Sequence, residues 1–201
     1  MDRATESGKK EAILDAAGQV FEQYGYRKTS MEDIAAMLGI SRASLYSYFE
    51  NKAAVFRQVS MAVHERALEQ AEAWLSQDTI RLRQRITEAL LARHQPFPSR
   101  STRSAHRSEL HDEYSRRCGD IVAASNSRFE HLLATALQSA DDAGTLDLQT
   151  APLSSRSTAE MLIFCVAGLK GSSGTLEEFE ARVRPFVGVF LAGLERRREA
   201  P

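Results

Sequence analysis

Residues 29–52 read TSMEDIAAMLGISRASLYSYFENK, and this stretch decides the fold of the N-terminal part of the chain. Thr29 or Ser30 can cap a helix, because a hydroxyl residue followed three positions later by an acidic one is a typical helix start. Gly39 follows the apolar positions only two turns later, where a helix of this kind ends. The stretch therefore predicts an unusually short first helix.

A second short helix follows immediately, capped by Ser41 and carrying Leu45 and Phe49 on its apolar side. The tight turn at residues 39–41 joins the two helices with helix-turn-helix spacing. We expect Ile34, Ala35 and Leu38 of the first helix to pack on Ile40 and Leu45, because a small alanine lets two helices approach closely. The second helix is then held at the surface.

The remaining side chains of the second helix are polar, short or aromatic with a hydrogen-bonding tip, which suits a helix in a DNA major groove about 12 Å wide. They are Arg42, Ser44, Tyr46, Ser47 and Tyr48. Residues 27–57 carry a local net charge of +2. Lys52 begins the next helix, and Thr29 or Ser30 opens the first, so both helix starts favour a phosphate.

The whole chain has helical periodicity, because apolar residues recur at intervals of three and four and Gly and Pro are few. The predicted fold class is all-α. One apolar stripe of the first helix contains Ile13, Leu14, Ala17, Phe21 and Tyr24. Predicted helices cover residues 9–24, 29–38, 41–49, 52–76, 77–93, 119–140, 157–170 and 175–198, with loops at 95–104 and 141–155.

Composition excludes several classes of protein. A formal net charge of −1 excludes a uniformly basic nucleic-acid coat, and two cysteines are too few for a disulfide scaffold. The N-terminus lacks the apolar segment of a signal peptide, and the longest apolar run, residues 161–169, is far shorter than the ~18 residues of a membrane span. The expectation is a cytoplasmic protein with reduced thiols at Cys118 and Cys165 and no membrane partner.

Enzyme and metal chemistry are not expected. His106 and His111 are five residues apart and point to different helix faces, and the nearby acids and arginines favour a solvated salt-bridge surface over a metal site. Residues 171–174 read GSSG, which is neither a nucleophile elbow nor a phosphate loop. We therefore predict neither a catalytic residue nor a cofactor.

The ordered residues Asp33-Ile34-Ala35, then LGISRASLYSYF at 38–49, then Asn51-Lys52 closely resemble the DNA-binding domain of TetR-family regulators, over about residues 9–57. The resemblance implies that Arg42, Ala43 and Ser44 face the bases, that Tyr46 and Tyr48 touch phosphates or base methyls, and that Lys52 binds a phosphate. The alternative for the two tyrosines is packing against the first helix. The predicted DNA-binding residues are Thr29, Ser30, Ser41, Arg42, Ala43, Ser44, Tyr46, Ser47, Tyr48 and Lys52.

The resemblance also implies a DNA-binding domain at residues 1–52 and, at 53–201, a helical domain that binds a small effector and dimerises through its last two helices. The apolar character of those two helices independently favours a homodimer interface, with ordinary protomer core as the alternative. Predicted interface residues are Met161, Cys165, Leu169, Phe179, Val183, Phe186, Val187, Phe190 and Leu194. Candidate ligand-binding residues are Trp74, Leu110, Tyr114, Phe129 and Phe164, for which plain core is again the alternative.

The resulting hypothesis is a homodimeric transcriptional regulator, a repressor that leaves a palindromic double-stranded DNA operator when a small-molecule effector binds. The alternatives are a regulator that is ligand-independent or activating, and a helical interaction module without DNA binding. Alanine at Arg42 or Lys52 tests the interaction module, because it abolishes duplex binding by a DNA-binding regulator and has no effect on a module that does not bind DNA.

Overall fold

A computed structural model describes residues 3–94, 106–150 and 153–196 of the chain, and these residues are almost entirely helical. Over this range the all-α prediction is confirmed, and the only β-type pairing is one isolated antiparallel bridge between Leu146 and Glu195. A short 3₁₀ helix covers Leu148–Thr150. The α-helices are α1 (Arg3–Lys28), α2 (Met31–Leu38), α3 (Arg42–Tyr46), α4 (Lys52–Leu75), α5 (Leu82–His94), α6 (Arg107–Asp142), α7 (Ser155–Gly171) and α8 (Leu176–Ala192).

The described residues pack as two compact units. The N-terminal unit holds residues 3–65 and 106–123, and the C-terminal unit holds residues 66–94 together with 124–150 and 153–196. Helices α4 and α6 each contribute residues to both units. The boundaries of these packing units lie after residue 65 in α4 and after residue 123 in α6, and not at residue 52. The reason is that the first parts of α4 and α6 pack with the helix-turn-helix.

The core of the N-terminal unit is built by α1 to α4 with the first part of α6. Ile34 and Leu45 are fully buried, as the helix-turn-helix pattern predicts. The rings of Phe21 and Phe56 meet edge to face, with centroids 5.1 Å apart. Tyr24 departs from the predicted apolar stripe and is 44% exposed. The expectation for Tyr24 was wrong because α1 breaks at the following residue.

Several helix boundaries differ from the prediction. Helix α5 begins at Leu82, because residues 77–80 form turns between it and α4. Helix α6 begins at Arg107, twelve residues before the predicted start, and α8 ends at Ala192, six residues before the predicted end. The predicted loop at 95–104 lies outside the described residues. These differences concern helix ends, which periodicity locates least well.

The core of the C-terminal unit combines α5, α7 and α8 with the later parts of α4 and α6. Helix α5 contacts α7 and α8, and α7 contacts α8. Leu90, Phe129, Leu162 and Val187 are each at most 1% exposed, so one apolar layer runs through the unit. No helix among the described residues is long and apolar enough to cross a bilayer.

Candidate nucleic-acid interface

Helix α2 begins with a complete capping box at Ser30. The Ser30 Oγ accepts a hydrogen bond from the Asp33 amide at 3.2 Å, and the Asp33 carboxylate accepts from the Ser30 amide at 2.8 Å and from its hydroxyl at 2.7 Å. These hydrogen bonds from Ser30 lower the pKa of Asp33. This capping box determines where α2 begins, and the capping residue is Ser30 and not Thr29.

The turn between α2 and α3 depends on Gly39, which adopts a left-handed conformation with φ +65° that few other residues tolerate. Its amide donates to the Ala36 carbonyl at 3.1 Å, and the Ile40 amide donates to Ala35 at 3.1 Å. Ser41 then caps α3 by accepting from the Ser44 amide at 3.1 Å. The predicted turn and both caps are therefore confirmed.

Helix α3 presents a polar surface away from the core. We define the outward face of α3 as Ser41, Arg42, Ala43, Tyr46 and Ser47, all of which are exposed. On the opposite side Leu45 is fully buried and Phe49 is 4% exposed, and they hold the helix in place. An exposed short helix seated on a buried apolar pair is the geometry that groove reading requires.

The two tyrosines of α3 have different surroundings. Tyr46 is 41% exposed and lies beside Arg42, with the guanidinium carbon 5.3 Å from the ring centroid. Tyr48 is half-buried and packs against the core of the N-terminal unit. Ser44, four residues earlier, is also half-buried. The packing alternative therefore applies to Tyr48 and not to Tyr46.

Lys52 does not present its ammonium outward, which corrects the expectation that it binds a phosphate. Its Nζ donates to the carbonyls of Thr29 at 2.6 Å, Tyr26 at 2.8 Å and Arg27 at 3.4 Å. An ammonium has three N–H donors, so these carbonyls occupy all of them. Nζ also lies 4.5 Å from the centroid of the Tyr26 ring. Burial, followed by the charge of Arg117, lowers the pKa of Lys52.

Thr29 also turns inward and is corrected as a DNA contact. Its side chain is 2% exposed, and its hydroxyl donates to the Gly25 carbonyl at 2.6 Å. Both corrections have one physical cause. The chain leaves α1 at this point, and the carbonyl groups at the end of a helix need donors when they are buried.

The break in α1 is fixed by Gly25, whose φ of +78° lies outside the helical region. A Cβ at this position would lie 2.5 Å from Glu109 Oε2, so a larger residue would have to displace that carboxylate and would also be strained at this φ. The other oxygen, Oε1, accepts from the Arg27 amide at 2.7 Å. The start of α6 is thereby bound directly to the end of α1.

A buried carboxylate completes this region. The Glu113 side chain is 3% exposed, and its oxygens pair with Arg116, with Arg117 at 2.7 Å and with Arg27 at 3.9 Å. The Arg117 guanidinium also lies 4.7 Å from the Tyr26 ring centroid. We call Tyr26, Thr29, Lys52, Glu109 and Glu113 the junction of α1, α4 and α6.

Sequence reasoning missed Glu113, because it grouped the acids and arginines of this segment as a solvated surface. A signal was present in the spacing. Glu113 lies three residues after Leu110 on the same side of α6, beside the row formed by Leu110, Tyr114 and Cys118, which packs in the N-terminal core. An acid within an apolar stripe indicates a buried charge with partners on a neighbouring element.

Comparisons with known proteins agree with this geometry. A model of the bacterial regulatory proteins of the tetR family matches residues 13–59. A solved structure from Mesorhizobium loti assigned to that family superposes with a TM-score of 0.72, covering 97% of this chain and 100% of that chain at 18% identity. The likeness to the TetR family in sequence thus lies in residues 13–59, which contain the helix-turn-helix. At this identity the structural likeness concerns the fold alone.

The chain is also similar to named transcriptional regulators. The regulator RutR of Escherichia coli K12 is 44% identical over 50 residues, which are 25% of this chain and 24% of RutR. IcaR of Staphylococcus aureus, named as a negative transcriptional regulator, is 39% identical over 49 residues, 24% of this chain and 26% of IcaR. SmeT, the repressor of a Stenotrophomonas maltophilia efflux pump, superposes with a TM-score of 0.64 at 21% identity over 96% of this chain and 97% of SmeT. The chain thus spans about a quarter of the length of the curated relatives.

The structure does not bring the five candidate ligand residues together. Leu110 and Tyr114 pack on the N-terminal core, where the Tyr114 ring lies 4.9 Å from that of Phe56. Phe129 is buried in the C-terminal core with Trp74 packed against it. Phe164 is 75% exposed. The plain-core alternative holds for the first four, because their apolar faces are covered by their own unit.

The structure shows a groove between α5 and α8 with a volume of about 620 Å³. None of the five candidate residues lines it. Arg184 crosses the groove to pair with Glu88 of α5. The groove is lined by Arg83, Gln84, Thr87, Glu88, Arg184, Pro185, Gly188, Val189 and Ala192.

The predicted dimer residues divide into three groups. Phe179, Val183, Val187 and Leu194 are at most 5% exposed within the protomer, so they were wrongly assigned to an interface and belong to the core. Leu169, Phe186 and Phe190 are half-buried. Met161, at 43%, and Cys165 are exposed, and so are three apolar residues of α7 and α8 outside the predicted set: Phe164 at 75%, Val189 at 76% and Leu176 at 40%.

Among the described residues, no three His, Cys, Asp or Glu side chains are grouped so that they could hold a metal ion. Cys118 is fully buried, and burial raises the pKa of its thiol.

Proposed function

We propose that this protein is a sequence-specific DNA-binding transcriptional regulator that reads the major groove with the outward face of α3. The observation that carries the proposal is this exposed face, set on a buried apolar pair within a segment that matches the TetR family. Arg42 is the residue proposed to read a base, because a guanidinium fork matches the two acceptors of guanine. The names of IcaR and SmeT as negative regulator and repressor support repression.

We propose that the protein binds DNA as a homodimer, so that its two α3 helices contact the two half-sites of a palindrome. Met161, Phe164 and Cys165 lie three and four residues apart on α7, so they form one exposed face. Val189 is the most exposed large apolar residue of α8. A large ring that is 75% exposed favours burial against a second copy.

Release from the operator by a small molecule is proposed to act along α4 and α6. Both helices supply residues to both units, so a shift in the C-terminal unit is carried by continuous helices into the N-terminal unit. In the N-terminal unit their first residues hold the end of α1 through Lys52 and Glu109. Coupling of this kind is reciprocal, so operator DNA weakens effector binding by the factor with which effector weakens operator binding.

The first test is selection of binding sites from a pool of random duplex DNA by the purified full chain at near-physiological salt. We expect enrichment of a palindromic sequence whose half-sites are one or two helical turns apart. Recovery of no enriched sequence by folded, dimeric protein would overturn the assignment as a DNA-reading regulator. A gapless, non-palindromic consensus would overturn the dimeric mode of reading.

The dimer surface is tested by Phe164→Glu, with Glu69→Gln as a control at an exposed position of α4. Sedimentation should show a monomer for Phe164→Glu and a dimer for the control, while circular dichroism shows equal helix content. For release, labelled operator is titrated with individual small molecules. A molecule that releases the operator while binding free and operator-bound protein equally would contradict the proposed coupling.

A further inference from the structure

A side chain outside α3 contacts the proposed base-reading arginine. Glu32, the second residue of α2, forms an ion pair between its Oε1 and Nη1 of Arg42. Nη2 of the same guanidinium donates to the Tyr46 hydroxyl at 3.4 Å, and the guanidinium carbon lies 5.3 Å from the Tyr46 ring centroid. Arg42 is therefore contacted on two sides, by a carboxylate from α2 and by an aromatic ring from its own helix.

Both side chains are exposed, Arg42 at 59% and Glu32 at 53%, and the proposed role of Arg42 places the pair on the DNA-facing surface. A surface ion pair contributes little to folding, and Glu32 also lies in the first turn of α2, where the helix dipole favours an acid. An acid here opposes DNA binding, because a carboxylate near the phosphate backbone repels it. The ion pair with Arg42 is a further interaction, which the helix dipole does not require.

The geometry gives this ion pair a role in binding. A guanidinium has five N–H donors, and contacts with Glu32 and Tyr46 use two of them, so three remain for a base edge. A free arginine has several rotatable bonds that must be fixed when it docks on guanine. With the plane of Arg42 already restrained, less conformational entropy is lost on binding the correct base.

We propose that Glu32 is a positioning residue that determines specificity. It holds the Arg42 guanidinium in the orientation that binds a guanine, and it weakens binding to duplexes in which Arg42 finds no guanine. This inference rests on the proposed function. Glu32 contributes through Arg42 and not through a base contact of its own. At the operator, the gain from orienting Arg42 offsets the repulsion between Glu32 and the phosphates. At a random duplex there is no such gain, so only the repulsion remains.

The test compares Glu32→Gln, Arg42→Ala and the double variant on three duplexes: the selected operator, the same operator with the contacted guanine changed to adenine, and a random sequence. Glutamine keeps the shape of the side chain and removes its charge. We expect Glu32→Gln to lower the ratio of operator to random-duplex affinity by about tenfold, because one well-formed base contact contributes on that order to discrimination. Random-duplex affinity itself should rise.

The double variant separates positioning from any independent role. In the Arg42→Ala background, Glu32→Gln should leave discrimination between guanine and adenine unchanged, because there is no fork to position. Equal loss of discrimination in both backgrounds would overturn the inference and assign Glu32 a contact of its own. An unchanged affinity ratio in Glu32→Gln with Arg42 intact would also overturn it.

Two controls keep the outcome interpretable. Glu69→Gln removes an exposed acid from the later part of α4 and should leave the ratio unchanged. Unfolding curves check α2, in which the Ser30 capping box is retained by every variant. Failure of the wild type to select any duplex overturns the proposed function and this inference together, whereas a selective wild type with an unaltered Glu32→Gln ratio overturns this inference alone.

Discussion

The outward face of α3 and the junction of α1, α4 and α6 use the same kinds of side chain for opposite purposes. On α3, Arg42 and Tyr46 lie side by side at the surface, with their remaining donors toward solvent. At the junction, Lys52 and Tyr26 lie side by side below the surface, and the ammonium is bound to three carbonyls. A cation beside a tyrosine therefore does not by itself indicate a DNA contact. What decides its role is whether backbone acceptors already occupy the donors.

The largest effect is expected at the buried carboxylate of the junction. Glu113→Gln should lower the free energy of unfolding by about 3 kcal/mol, because a buried amide NH2 replaces one carboxylate oxygen, faces arginine N–H donors and has no acceptor. Urea unfolding followed by circular dichroism measures the change. Glu69→Gln is the control, and a change below about 0.5 kcal/mol, typical of surface sites, would show that the junction is no more than a surface network.

Lys52 gives the sharpest comparison between the two regions. Lys52→Met should lower the free energy of unfolding by about 2 kcal/mol, because it leaves carbonyls at the end of α1 without their charged donor. The dependence of operator affinity on salt should keep its slope, since no phosphate contact is lost. Lys9→Met, at an exposed position of α1, is the stability control. Unchanged stability with a salt slope reduced by about 1 would restore Lys52 as a phosphate contact.

Arg42 should show the reverse pattern. Arg42→Ala is expected to weaken operator binding by about 10- to 100-fold and to relax preference at one base pair, while the free energy of unfolding changes by less than about 0.5 kcal/mol. Fluorescence anisotropy with single-base operator variants measures both quantities. Arg42→Lys keeps the charge and loses the fork, so it should lose base preference with the salt slope intact. Uniform weakening across all sequences would make Arg42 a backbone contact.

The cap of α2 is expected to have a smaller effect. Ser30→Ala should lower the free energy of unfolding by about 1 kcal/mol, because the Asp33 amide loses its acceptor. Ser30→Thr retains a capping hydroxyl and should recover most of the loss. Thermal unfolding of the three proteins measures the difference, and equal stability of the alanine and threonine variants would contradict the capping role.

The smallest expected effect is on the stability of the fold at acidic pH. Arg57 binds Asp120 through two hydrogen bonds of 2.7 and 2.9 Å and lowers the pKa of that carboxyl to about 2. Because the folded pKa lies below the unfolded value of ~3.9, the pair stabilises the fold above pH 4 and loses this contribution as pH falls toward 2. Carbon-13 NMR of the Asp120 carboxyl should show the low midpoint, and Arg57→Gln should return it to about 4.

Much of the fold could be predicted because short-range chemistry specifies it. The capping residues Ser30 and Ser41 and the turn at Gly39 act on neighbours within four residues, so they can be identified in the sequence. Burial of Leu45 and Phe49 follows from helical periodicity in the same way. The outward placement of Arg42 then follows, because α3 has only one face left for solvent.

The sequence by itself determined an all-α chain, the position of the helix-turn-helix and the side chains of α3 that face outward. The tertiary structure alone decided that Thr29 and Lys52 turn inward, and that four of the expected interface residues on and just after α8 belong to the protomer core. The physical reason is distance along the chain. Lys52 meets the carbonyls of residues 23 to 26 positions away, and Arg27 meets Glu109 at a separation of 82 residues. No local pattern records such a partner, and the partner decides whether a charge binds its own backbone or another molecule.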